Sequence, residues 1–142
     1  MRILALDLGE RRIGVALSDP LGMLATPLTV LKYDSREAEL AAIAELIHKH
    51  QVDRVVVGYP RNLDGTVGSQ AQRVDRYVAK LRKYLQRRQH TKQVPLILWD
   101  ERLSTKQAER LVHETGRRVQ RERLDAAAAA VILQSYLDAQ QQ

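Results

Sequence analysis

Residues 2–8 read Arg-Ile-Leu-Ala-Leu-Asp-Leu, an apolar run broken by a single aspartate just before Gly9. A strand covered on both faces reads as a near-continuous apolar run. A carboxylate near the end of such a strand must be paired, hydrogen-bonded or bound to a cation, because an isolated buried charge is costly. Gly9-Glu10-Arg11-Arg12 is a short turn, and residues 12–18 form a second apolar run. The pair predicts an antiparallel hairpin with Asp7 close to its turn.

The rest of the chain extends this hairpin into a layered fold. Residues 23–31 predict a third strand, which Pro27 places at a sheet edge. Asp34 or Ser35 caps a helix whose apolar face is Leu40, Ile43, Ala44 and Ile47. Residues 52–58 are rich in β-branched side chains, and a strand reached through a helix runs parallel to the first. A turn-rich loop, Tyr59 to Gly68, leads into a helix from Ser69 to about Gln89, with Ala71, Val74, Val78, Leu81 and Leu85 on one face. Residues 94–99 predict a buried strand with Asp100, Glu101 and Arg102 at its exit. Ser104 or Thr105 caps a further helix ending at Gly116. A basic segment, residues 117–123, precedes a last helix from Leu124 that carries Ala126 to Ala130. The order predicts an α/β fold: a mixed five-stranded sheet, an antiparallel three-strand meander plus two parallel strands, flanked by helices. One domain is expected over residues 1–138, with a frayed tail over 139–142.

Composition narrows the class. The 142 residues include no Cys, which excludes disulfides and thiolate metal sites and fits a reducing compartment. No signal-peptide layout and no apolar run of about 20 residues is present, so a soluble cytoplasmic protein with no membrane partner is expected. The net charge of +6 admits nucleic acid as a partner, while an aromatic content of 4% argues against base stacking as the main binding mode.

Three carboxylates share a structural setting: Asp7 ends the first strand, Glu101 follows the last, and Asp125 starts the last helix. With the first strand central, Asp7 and Glu101 emerge at one sheet edge. A few carboxylates without a dedicated cage suit Mg²⁺ or Mn²⁺, and two such ions ~3.5–4 Å apart can clamp the oxygens of a phosphodiester. Each acid also has an ordinary reading. Asp7 can accept the Gly9 and Glu10 amides, Glu101 can pair with Arg102, and Asp125 can complement a helix dipole. Arg73, Arg76, Lys80, Lys83 and Arg87 recur at helical spacing as one basic stripe, able to track phosphates or simply to face solvent. Residues Arg117, Arg118, Arg121 and Arg123 add a second basic cluster. The loop before residue 69 lacks a P-loop ending, and the four histidines show no zinc spacing.

Four segments in this order, residues 7–19, 57–68, 100–105 and 124–134, resemble the four signatures of the YqgF (RuvX) family. The resemblance covers almost the whole chain. It implies an RNase H-like fold and a metal-dependent nuclease that processes the 16S rRNA precursor in ribosome biogenesis, with Holliday junction resolvase as the older description. It implies Asp7, Glu101 and Asp125 as catalytic, metal-binding carboxylates, with Mg²⁺ or Mn²⁺ as cofactor. Gly9, Arg12, Asn62, Asp64, Gly65 and Arg102 would shape the cleft or meet phosphate. Arg12, Arg61, Asn62, Arg73, Arg76, Lys80, Arg102, Arg118 and Arg121 are the expected nucleic-acid contacts. One departure stands out. Related resolvases carry two acids three residues apart on the last helix, and here position 128 is alanine. Asp100 or Asp19 would have to substitute. The expected partner is nucleic acid, an rRNA precursor or branched DNA, bound by a monomer or weak homodimer. Two alternatives compete: a non-catalytic RNA-binding module, and an actin-like ATPase, which needs two such domains where this length supplies one.

Overall fold

In a computed structural model, residues 1–103 and 121–141 are described. The helix expected up to Gly116, with Arg117 and Arg118, lies outside them. Five strands make one sheet: β1 (Ile3–Leu8), β2 (Ile13–Ser18), β3 (Ala25–Leu31), β4 (Arg54–Tyr59) and β5 (Leu96–Asp100). Their spatial order is β3-β2-β1-β4-β5. β1 pairs antiparallel with β2 and parallel with β4, β2 pairs antiparallel with β3, and β4 pairs parallel with β5. The mixed five-stranded sheet expected from the sequence is the one formed. β3 is an edge, and its Pro27 sits beside a register shift at Val15/Ala16, where a missing amide costs the ladder least.

The helices are α1 (Arg36–Lys49), α2 (Ser69–Gln86) and α3 (Arg121–Gln140), and a single 3-10 turn, Glu101–Leu103, follows β5. Ser35 caps α1 by accepting the Ala38 amide at 3.1 Å. α1 and α2 cover one sheet face. Leu40, Ile43 and Ile47, with Val74, Val78, Leu81 and Leu85, bury against Leu4, Leu6, Val15, Val55 and Val57. α3 covers the other face alone, with Ala129, Ile132, Leu133, Tyr136 and Leu137 on Ile3, Ala5, Ala16 and Val56.

Three polar clamps fix α3 across the sheet. The Gln134 side chain accepts the Ala25 amide at 2.9 Å and donates to the Met23 carbonyl at 3.1 Å. Arg54 donates to the Tyr136 hydroxyl at 2.6 Å. Trp99 donates to the Ser135 hydroxyl at 3.2 Å and meets Tyr136 edge-on, 5.3 Å between ring centres. α3 is already helical at Arg121, where the described residues resume, ahead of the predicted Leu124, and it reaches Gln140. No described helix is long and apolar enough to cross a membrane.

Candidate active site

Strand alternation puts Asp7 on the α3 face, in line with Ile3 and Ala5. Its neighbours on that face have no side chains. Gly14 is its partner on β2, and on β4 Gly58 follows the Val57 that pairs with Leu6. These two glycines admit the other two acids. A Cβ at Gly58 would collide with Oε1 of Glu101, and it would lie 2.8 Å from Cδ1 of Ile132 on α3. A Cβ at Gly14 would collide with the backbone carbonyl of Asp125 and sit 3.2 Å from the Ala126 amide. Glu101 thus folds over Gly58 towards Asp7, and the α3 backbone descends onto Gly14 at Asp125.

The carboxyls of Asp7 and Glu101 share a hydrogen bond, with Glu101 donating and Asp7 accepting. Burial, reinforced by the Asp125 charge, raises Asp7 to about 6. Burial, reinforced by the Asp7 charge, raises Glu101 to about 7. Arg73 opposes the shift on Asp7 and is anchored by donating to the Leu8 carbonyl at 3.1 Å. Among the described residues no three acidic or histidine side chains form a finished metal cage. Asp7 and Glu101 touch, and Asp125 reaches Asp7 through its charge. Two adjoining carboxyls fit a small divalent cation, because Mg²⁺ usually takes one or two protein carboxylates and completes its shell with water and substrate phosphate.

The ordinary readings fare unevenly. The Gly9 amide goes to the backbone carbonyls of Asp7 and Arg12. Arg102 pairs with Asp100 rather than Glu101, through its Nε and its Nη2 at 2.6 Å. Asp125 falls past the first turn of α3, where the helix dipole acts most strongly. The two proposed substitutes for an acid at position 128 differ: the Asp100 charge helps to raise Glu101, while Asp19 is remote from the site. Asp19 lies at the opposite sheet edge, where it accepts the Met23 and Leu24 amides, and those bonds hold its pKa low. Asp100 is engaged by Arg102, which lowers its pKa.

The expected nucleic-acid contacts separate into groups. Arg12 lines an open groove of about 540 Å³ together with Asp125, Arg11 and Lys32. Lys32 carries no motif signal, and only the pairing of β3 beside β2 brings it there. Arg73, Arg76 and Lys80 line a different groove, on the α1/α2 side of the β1–β2 turn. Asn62 and Asp64 shape their own loop: Asn62 donates to the Thr66 hydroxyl at 2.9 Å, and Asp64 accepts from the Thr66 amide and hydroxyl. Gly65 closes that loop at a φ of 90°, a left-handed conformation that favours glycine. Arg102 reaches the same loop at the Leu63 carbonyl. Arg61 lies over the Tyr59 ring, 5.5 Å from its centre. Arg121 is on α3, and Arg118 lies outside the described residues.

A family profile described as "RuvX: Holliday junction resolvase" matches residues 1–139. The chain belongs to the RuvX family. Among curated relatives, one from Desulforamulus reducens is 42% identical over 140 residues, 97% of each chain. Another, from Syntrophus aciditrophicus, is 45% identical over 141 residues, 98% of this chain and 89% of the relative. Both are named "Putative pre-16S rRNA nuclease". Among solved structures, Thermus thermophilus RuvC in complex with a Holliday junction substrate superposes with a TM-score of 0.61 at 18% identity, over 99% of this chain and 96% of that one. The fowlpox virus resolvase in complex with its substrate junction gives 0.59 at 12% identity over the full length of both. At such identities the likeness is one of fold, and the fold of this RuvX chain is RNase H-like.

Proposed function

We propose that this chain is a divalent-metal-dependent nuclease that hydrolyses phosphodiester bonds in structured nucleic acid, with the 16S rRNA precursor as its substrate. The observation that carries the reading is the shared hydrogen bond between Asp7 and Glu101, made beside Asp125 at a point where two glycines clear the sheet surface. A carboxyl pair that retains a proton through mutual repulsion and burial is a pair that a cation can bridge in the proton's place. Asp7 and Glu101 would hold Mg²⁺ or Mn²⁺, with Asp125 adding charge from α3. The bound ion would polarise the scissile phosphate and lower the pKa of attacking water. Arg12 and Lys32, in the groove with Asp125, place positive charge where phosphate oxygens would lie. Arg73 sets the field at Asp7 from behind, fixed to the Leu8 carbonyl. The names borne by relatives at 42% and 45% identity support ribosomal RNA, and hence a cytoplasmic site of action.

The test is cleavage of a structured precursor RNA with Mn²⁺ by wild type and Asp7→Asn. The variant is expected to lose at least about a hundredfold in rate. Wild-type cleavage by Asp7→Asn would sink the assignment and leave the RNA-binding module as the better reading. The family description favours a second substrate, branched DNA, for the same carboxyl pair. Faster cleavage of a four-way DNA junction than of precursor RNA, at equal enzyme, would select it.

A further inference from the structure

The β1–β2 turn has a groove on each side of the sheet edge. Gly9, Glu10 and Arg11 border both. The groove of about 540 Å³ is the one that holds Asp125. The other, of about 360 Å³, lies on the α1/α2 side, floored by Leu8, Ile13 and Val74. It contains none of the three acids of the candidate active site.

Five cations line this second groove: Arg11 from the turn, Arg36 from α1, and Arg73, Arg76 and Lys80 from α2. Three acids line it too, Glu10, Asp34 and Glu39. Glu39 is engaged, since it accepts the Tyr77 hydroxyl at 2.6 Å. Arg73 is anchored on the Leu8 carbonyl, and Arg36 rests over the Tyr77 ring at 5.4 Å. Arg11, Arg76 and Lys80 are exposed and make no ion pair with a described residue. The groove therefore has two cations held by contacts within the fold, Arg73 and Arg36, and three with no ion pair among the described residues, drawn from three elements that only the fold brings together. Such a set is suited to phosphates in succession along a backbone more than to a single small anion.

The geometry points to a second phosphate track: the α1/α2-side groove holds the uncut strand of a duplex while the cut strand lies in the Asp125-side groove, with the β1–β2 turn as the ridge between them. This rests on the nuclease reading and adds a substrate form to it. A single strand fills one groove and leaves the other empty, whereas a duplex engages both. Arg76 and Lys80 therefore contribute to duplex affinity and much less to single-strand affinity.

The test measures binding alone, in EDTA so that nothing is cut, by fluorescence anisotropy of a short RNA duplex and of one of its strands. Arg76→Ala/Lys80→Ala is compared with wild type across a salt series, with melting temperatures taken to show that both are folded. Duplex affinity is expected to fall about tenfold more than single-strand affinity, and the duplex salt slope to fall by about 2. Equal losses on the two probes, or an unchanged duplex slope, overturn the proposal. Because no cleavage is read, failure here leaves the role of Asp7 and Glu101 untouched. Conversely, a cleaving Asp7→Asn variant leaves the two-groove binding result standing.

Discussion

Towards α1 and α2 the sheet presents Leu4, Leu6, Val15, Val55 and Val57, all fully buried beneath bulky helix side chains. Towards α3 it presents Ile3, Ala5, Ala16 and Val56, and then, near the turn, Gly14, Asp7 and Gly58. The first face is filled by large side chains. The second thins to alanine and glycine where the acids gather. Large apolar groups give the first face its stability through area removed from water. On the second, the absence of side chains lets a carboxyl and a helix backbone reach Asp7. One face thus sets whether the chain folds, and the other sets what its edge can do.

That division can be broken experimentally. Leu6→Ala, on the bulky face, is expected to cost about 2–5 kcal/mol in urea unfolding. Cleavage per folded molecule should stay near wild type; a matching loss of turnover would show that the faces are not separable. Gly58→Ala reverses the pattern. The added methyl meets the Glu101 carboxyl, with an expected cost of about 1–3 kcal/mol and a loss of cleavage out of proportion to it. A variant that unfolds early yet cuts normally would deny Gly58 its role as spacer.

A third test separates the faces by pH. Asp7 and Glu101 titrate near 6 and 7 in the fold, above the ordinary carboxyl values of 3.8 and 4.5. The folded chain then binds more protons than the unfolded chain between those limits. In EDTA this stability is complete below about pH 4 and is lost as pH rises through 6 to 7, on the order of a few kcal/mol. Thermal melts at pH 5 and pH 8 should show the drop in wild type, and Asp7→Asn/Glu101→Gln should flatten it. The smallest effect belongs to the first face. Ser35→Ala removes the α1 cap and should cost about 1 kcal/mol, read as a shift in the urea midpoint with cleavage unchanged.

Much of this was legible beforehand, and unevenly between the faces. Leu40, Ile43, Ala44 and Ile47 are the buried residues of α1, as their spacing foretold. The five apolar positions expected of α2 are buried too, and Tyr77 joins them because its ring can lie inward while its hydroxyl reaches Glu39. Pro27 marked the sheet edge. Periodicity reports burial on a helix or strand, and that is the language of the α1/α2 face. The α3 face was harder. Gly14 and Gly58 read as routine strand and loop residues, because a close approach depends on which neighbour arrives. That α3 already includes Arg121-Glu122-Arg123 was masked by the basic character of this segment, which carries no apolar period. Arg102 chose Asp100 over Glu101, a matter of rotamer geometry at a strand exit, and the placing of Lys32 beside Asp125 needed the register of β3. The basic stripe on α2 was visible, but the sequence did not say that it faces a groove separate from the acids.

The clamp between Gln134 and the start of β3 joins residues 109 and 111 positions apart along the chain. The packing of Asp125 on Gly14 spans a similar interval. A ribosome making this protein releases β1, β2 and the whole α1/α2 face before α3 leaves the exit tunnel. Until then Asp7 has no Asp125 beside it, and the Asp125-side groove has no far wall. Long-range closure comes last in folding because its loop entropy is offset only when both ends are present. The cutting edge is therefore the last part of the fold to be completed: it exists only once the segment carrying Asp125 has packed back across the hairpin made at the start of the chain.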